Sequence, residues 1–242
     1  MSAPRFAVGP GHAWYRGPSG DGGAHAHAAF QIAIAVPESE EVRMVDAYGV
    51  HHRSAVLVVP PMVRHRLLPV TELLTFFVEP HCALADRLRT RCAGRITAAP
   101  DLRGLREEEV RRATGRPSGA LDARLVAALD ALAAGRPTMP ELAASVGLSP
   151  QRLRALSRRQ LGMPLPRWRI WQRLIGAAGA LHEGRPPAEA AVAGGFADQA
   201  HFSRQLREMT GLTPSAVLPA LRPPAASPAA GSGGPGQPRR AT

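Results

Sequence analysis

The sequence predicts an α+β chain: a small antiparallel β-barrel or sandwich, then an all-α region with two helix-turn-helix units joined by a linker helix. Three observations carry this reading. Short apolar runs bounded by Pro, Gly or charge occupy the first 80 residues. Leu, Ala and Arg recur at helical spacing from about Cys82, and residues 138–221 contain an internal repeat.

In chain order, Gln31–Val36 (QIAIAV), Ala55–Val59 (AVLVV) and Leu73–Val78 (LLTFFV) read as strands of a domain spanning residues 1–80. Residues 81–136 read as a helical connector. Within it Glu107 and Glu108 stand four residues before Arg111 and Arg112, the spacing of a solvated helix face. The Gly/Pro/Ser patch Gly115–Gly119 reads as a linker, and Leu121–Ala134 as a further helix. Residues 137–221 form the repeated region. Residues 222–242 (RPPAASPAAGSGGPGQPRRAT) have too few apolar side chains to offset the entropy of ordering and are expected to be disordered.

The repeat has its first copy at Glu141–Gly162 (ELAASVGLSPQRLRALSRRQLG) and its second at Glu189–Gly211 (EAAVAGGFADQAHFSRQLREMTG). Gly147 and Gly195 are 48 apart. Past the turn the offset becomes 49, matching Ser149 with Asp198, Leu153 with Phe202, Arg158 with Arg207 and Gly162 with Gly211, so the second turn holds one extra residue. Each copy has the punctuation of helix, tight turn, helix. Thr138 and Glu141 are spaced as a capping box, and Gly147 and Gly195 stand where the chain turns sharply. Ser149 caps the next helix with Pro150 at its first position, Asp198 plays the same part in the second copy, and Gly162 and Gly211 close the second helices. Two helices joined this way place the second where it can enter a DNA major groove.

Charge points the same way. The chain has a formal net charge of +11, and residues 137–222 hold 11 Arg against 5 acidic residues, whereas 1–136 hold 17 Arg against 14. The polyanion-binding footprint therefore lies in the C-terminal half. Helical geometry sorts its faces: Leu153, Leu156, Phe202 and Leu206 turn inward, leaving Gln151, Arg152, Arg154, Arg158 and Arg159 outward in the first copy. The second copy offers Gln199, His201, Ser203, Arg204 and Arg207. Arg pairs with guanine and Gln with adenine through two hydrogen bonds, and either can hold a phosphate. Between the copies, Leu165, Trp168, Trp171, Leu174, Ile175, Ala178 and Leu181 make a helical stripe about 27 Å long. That length suits reading heads separated by one DNA turn, about 34 Å.

These motifs resemble the DNA-binding domain of AraC/XylS-type regulators. The likeness rests on ELAASVGLSPQRL, Arg173-Leu174-x-x-Ala177, GGFADQAHFSRQLRE and the closing GLTP at Gly211–Pro214, about 85 residues in all. It implies activation or repression through tandem units. The sequence departs from the family in Ser157, where the first recognition helix usually has a large aromatic, and in an Ala- and Gly-rich first helix of the second unit (Ala190, Ala191, Ala193, Gly194).

His25-Ala26-His27, Gln31 and, after Pro60-Pro61, His65 look like a degenerate cupin pattern, with Gln31 where a metal-binding cupin has Glu. The N-terminal domain is accordingly expected to be cupin-like, serving as sensor or dimerisation domain. No cofactor and no metal are expected; His25, His27, Gln31 and His65 are the candidates should one be held, since imidazole suits Zn, Fe, Ni or Cu. His51-His52 reads as a turn or strand-edge pair. Cys82 and Cys92 have no metal spacing, and neither a signal peptide nor a membrane span is evident. The expected partners are double-stranded promoter DNA, a small-molecule effector, RNA polymerase and a second copy of the chain, in the cytoplasm, with no enzyme activity. The alternatives are a metal-dependent cupin enzyme with a basic helical appendage, and a basic nucleoid or RNA-associated protein.

Overall fold

Among the described residues, two antiparallel sheets are built from β1 (Arg5–Gly9), β2 (His12–Ser19), β3 (Phe30–Ala35), β4 (Val42–Asp46), β5 (His51–Ser54), β6 (Val56–Val59), β7 (His65–Leu67) and β8 (Val70–Val78), with β9 (Thr97–Ala98) added after the first helix. The computed structural model describes residues 4–20, 22–211 and 214–221. The expected disorder of 222–242 falls outside the described residues, as do Leu212 and Thr213 of the GLTP motif.

The larger sheet has the order β1-β2-β8-β3-β6-β9 and the smaller β5-β4-β7. β8 is central, with Phe76 opposite both Trp14 and Ile32. Strand alternation divides the apolar side chains between two layers. Phe30, Ile32 and Ile34 join Val56, Val58, Phe76 and Val78 beneath α1 (Ala83–Cys92) and α2 (Glu107–Thr114). Ala33, Ala35, Leu57 and Val59 face Val42 and Met44 of the smaller sheet. Because both faces of β3 and β6 are buried, these strands read as continuous apolar runs and are visible in sequence. β1, β2, β4, β5, β7 and β9 are short or polar on one face, so the apolar-run criterion passes over them.

The stretch 81–136 divides its packing. α1, α2 and β9 complete the sheet domain, whereas α3 (Ala123–Ala134) sends Leu125, Ala128, Leu129 and Leu132 into the helical core. Gly115–Gly119 is tied down: the Asp86 carboxylate accepts hydrogen bonds from Ser118 Oγ (2.6 Å) and from the backbone N–H of Gly119 (2.9 Å) and Ala120 (3.2 Å).

The helical part continues with α4 (Met139–Ser145), α5 (Pro150–Leu161), α6 (Leu165–His182), α7 (Pro187–Gly194), α8 (Gln199–Thr210) and α9 (Pro214–Leu221). α6 runs through its middle. Trp168, Trp171, Leu174, Ala178 and Leu181 are buried on one side, together with Leu142, Leu153 and Leu156 of the first unit and Ala190, Phe202, Leu206 and Met209 of the second. Ile175 is half-buried against the same core. The cluster does not stop at the domain border, for Ala28 and Ala29 are buried in it and Met62 and Phe77 pack against it.

The small residues of α7 have a packing reason. A Cβ on Gly194 would lie 2.6 Å from the Arg173 carbonyl oxygen and 2.7 Å from Ala177 Cβ. α6 and α7 therefore approach backbone to backbone, as only small side chains permit. Gly194→Val is expected to cost about 1–3 kcal/mol through forced separation of these helices. Thermal melting checks this against Ala193→Val, an exposed neighbour whose effect should stay within about 0.5 kcal/mol. Equal melting temperatures for the two variants would contradict the close approach.

Candidate nucleic-acid interface

Both turn units are built from their caps. Thr138 and Glu141 form the capping box of α4. Ser149 Oγ accepts from the Arg152 N–H at 3.2 Å, opening α5 with Pro150 in its first turn, and Asp198 Oδ1 accepts from the His201 N–H at 2.6 Å, opening α8. Gly147 and Gly195 adopt φ of +65° and +87°, the left-handed region that lets each chain reverse between helices. Gly162 and Gly211, both at φ +70°, close α5 and α8. Ser157, in place of a large aromatic, is fully buried and donates its hydroxyl to the Met163 carbonyl at 2.6 Å, tying the end of α5 to the chain leaving it.

The predicted faces separate cleanly. Leu153, Leu156, Phe202 and Leu206 are buried; Gln151, Arg152, Arg154, Arg158, Arg159, Gln199, Arg204 and Arg207 are exposed. His201 and Ser203 are half-exposed, His201 edge-on to Phe196 and Ser203 donating to the Gln199 carbonyl one turn back. Elsewhere on this domain Arg124, Arg167 and Arg185 pair with Asp122, Glu208 and Glu183. Among the described residues, Arg154, Arg158, Arg159, Arg204 and Arg207 have no such partner, so both outward faces carry uncompensated positive charge.

α6 adds a basic patch that the sequence reading, which treated it as a spacer, passed over. Arg154, Arg169 and Arg173 with Met139, Leu165 and Ile170 line an open cavity of about 430 Å³. Arg169 donates to the Pro137 carbonyl, and Arg173 Nε is buried without a partner. Burial, then Arg136 and Arg169, lower the Arg173 pKa. The available signal was the i, i+4 spacing of Arg169 and Arg173.

The N-terminal domain meets α6 and α8 directly. His25, His27 and His65 lie together with Gln31, as their spacing suggested, and each is at least 94% buried. Burial holds all three imidazoles below the usual histidine range, His25 at about 4. Trp171 of α6 packs beside His27 and Phe77, with ring centroids 6.2 and 5.6 Å away. The Gly23 N–H donates to the carbonyl of Gly211, the cap of α8, at 3.1 Å. A second polar seam lies nearby, where Gln172 donates to Glu79 Oε1 at 2.7 Å and His81 Nε2 stands 3.3 Å from Asp130 Oδ1. His51 and His52 stay apart from both, on the edge strand β5, with His52 paired to Asp46.

A family model described as a helix-turn-helix domain matches residues 142–219. The C-terminal domain is an AraC-type helix-turn-helix domain. The chain that carries this domain is a DNA-binding transcriptional regulator. Its fold is similar to that of ToxT from Vibrio cholerae, with a TM-score of 0.55 at 10% identity over 87% of this chain and 98% of that one. A structure of ToxT from the same organism with a bound unsaturated fatty acid gives a TM-score of 0.56 at 10% identity, over 88% of this chain and 96% of that one. No curated protein matches the chain. The likeness to ToxT spans both domains, so the regulator has a two-domain architecture with antiparallel sheets before the helix-turn-helix domain.

The seam makes the regulator's stability depend on pH. Burial pushes Glu79 up to about 7, with the Gln172 hydrogen bond opposing and Asp130 reinforcing the shift. An unfolded Glu titrates at about 4.3, so the stability contributed by neutral Glu79 is complete below that pH and is lost as pH rises through about 7. Glu79→Gln keeps an acceptor for Gln172 and removes the titration. Urea unfolding should show the variant gaining about 1–3 kcal/mol over the natural protein between pH 4.5 and 7.5, then no further gain. A pH-independent difference would mean that Glu79 remains hydrated.

Proposed function

We propose that the protein reads promoter DNA with α5 and α8 in two successive major grooves, α6 setting their separation. The observation that carries this is the pair of capped helices whose outward arginines have no acidic partner, standing on either side of one rigid helix. Gln151, Arg152, Arg154 and Arg158 of α5, with Gln199, His201, Ser203, Arg204 and Arg207 of α8, are assigned to base edges and adjoining phosphates. Arg169 and Arg173, withdrawn beside the first unit, suit a backbone phosphate.

In this reading, the N-terminal domain (residues 1–80 with the connector 81–136) senses an effector or pairs with a second copy, and residues 137–221 bind DNA. The protein works in the cytoplasm, contacts RNA polymerase and performs no catalysis. The fatty acid held by ToxT supports a small molecule as the effector class. An effector acts only through different affinities for DNA-competent and incompetent states. Against the metal-dependent enzyme stands the burial of His25, His27 and His65 beneath Trp171 and Gly211, which leaves little approach for a substrate.

Genomic fragment selection followed by footprinting at near-physiological salt should show two protected blocks about one helical turn apart. On that operator, Arg154→Ala and Arg204→Ala should each weaken specific binding by about 1–3 kcal/mol and relax preference at one position, leaving nonspecific binding nearly unchanged. Arg173→Ala should weaken all sequences alike and reduce the salt slope by about 1. Equal losses on operator and competitor for Arg154→Ala and Arg204→Ala would refute base reading by these faces.

A further inference from the structure

The cavity between α4, α5 and α6 is lined by arginines whose charge nothing nearby answers. Arg154 comes from α5, Arg169 and Arg173 come from successive turns of α6, and Arg136 stands close enough to oppose the Arg173 charge. Among the described residues no carboxylate lines the cavity, and none of these four arginines pairs with an acidic side chain. Arg169 is held in place by Nη2, which donates to the Pro137 carbonyl at 2.6 Å. Arg173 is the costly member, because its Nε is buried and donates to no acceptor. The rest of the wall is apolar: Met139, Leu165 and Ile170 face the same space of about 430 Å³. Such a volume, an apolar lining and a few converging polar groups are what small-molecule sites share.

We propose that this cavity binds a small phosphate monoester with an apolar body, and that its occupant excludes DNA. Charge selects the head group. A monocarboxylate brings one negative charge and two oxygens, whereas a phosphate monoester near neutral pH brings a charge of about −1.5 to −2 and three accepting oxygens. That is enough to engage three guanidinium forks and to give Arg173 Nε its acceptor. The lining selects the body. A bare phosphate leaves Met139, Leu165 and Ile170 against water, and an apolar ester covers them. The DNA backbone shares the phosphate chemistry, but as a diester with a single charge and with sugars rather than apolar surface beside it.

The occupant acts on DNA reading through Arg154, which is exposed with Gln151 and Arg158 on the outward side of α5. An ester seated among Arg154, Arg169 and Arg173 takes from DNA one base-reading side chain and the two arginines suited to a backbone phosphate. Arg136 extends the same charge toward the second unit, lying over its turn where a Cβ on Gly195 would meet the guanidinium. Ligand and operator therefore compete for one surface within the helical domain. The competition rests on the DNA-reading proposal; the site itself does not.

The test titrates the full chain with fluorescent 1-naphthyl phosphate at low salt and about pH 7.5, where the ester is a dianion. Inorganic phosphate, 1-naphthoate and 1-naphthol serve as comparisons. One equivalent of the ester should bind, at least about tenfold tighter than any of the three. Arg173→Ala and Arg154→Ala should each weaken it about tenfold; Arg154 is exposed and unpaired, so its variant keeps the test open if Arg173→Ala does not fold. Ile170→Thr should weaken the ester and not inorganic phosphate. At ten times its dissociation constant, the ester should weaken operator binding about tenfold by mass action. Binding no tighter than inorganic phosphate, or binding that survives both arginine substitutions, would overturn the site. An ester indifferent to Ile170→Thr would leave the cavity to the DNA backbone and overturn the free ester as its ligand. Binding with unchanged operator affinity would overturn the competition. Footprinting by the ligand-free protein tells failure of DNA reading apart from failure of the anion site.

Discussion

One stripe of α6 has to be removed from water, and three neighbours share the work of covering it. Trp168, Trp171, Leu174 and Leu181 are buried along 18 residues. The first unit covers part of this length with Leu153 and Leu156, the second with Ala190 and Phe202, and the sheet domain supplies Ala28, Ala29 and Phe77. Two buried tryptophans carry a hydrophobic term of several kcal/mol each, large against the total stability of an ordinary domain. The two helix-turn-helix units, α6 and the sheet domain consequently share a core, and none can shift far without exposing part of it.

The polar groups caught at that junction follow from the same constraint. Gln172 lies on α6 beside its apolar stripe and finds Glu79 at the end of β8, while Asp130 of α3 finds His81. The three-histidine cluster sits at the same border, roofed by Trp171. Buried polar groups need partners, and here several partners come from the opposite domain. Such a junction is sensitive to protonation, as at Glu79, for a plain reason: removing one partner strands another in a dry place.

Much of the helical half was legible because its information is local. Thr138 to Glu141, Ser149 to Arg152 and Asp198 to His201 are all three-residue relations, and the repeat states each of them twice. The outward and inward faces of α5 and α8 follow from the same short periodicity. β3, β6 and β8 were legible because burial on both faces, or over a long run, leaves little polar interruption. The remaining strands depend on pairing, and pairing is a tertiary fact. The same holds for the seam. Gln172 and Glu79 are 93 residues apart, and nothing near either residue marks the other. The histidine pattern was visible, but not its burial at the border, since Trp171 and Gly211, which cover it, come from far along the chain. Arg173 stood in the linker motif, but the basic patch it forms with Arg169 was overlooked because a helix with a strong apolar stripe draws attention to one side of itself.

The Gly194 contact bears on how the target site can evolve. With only the Ala177 methyl beside Gly194 between the backbones of α6 and α7, the second unit has little cushion on which to tilt. On the proposed mode of DNA reading, the distance and phase between α5 and α8 then behave as a ruler. Inserting one base pair between half-sites displaces them by about 3.4 Å along the duplex and rotates them by roughly 35°. A protein of this kind would leave that mismatch to the DNA, which can bend or twist at an energetic cost set by the intervening sequence. Promoters would then be sorted partly by the stiffness of bases that no side chain touches.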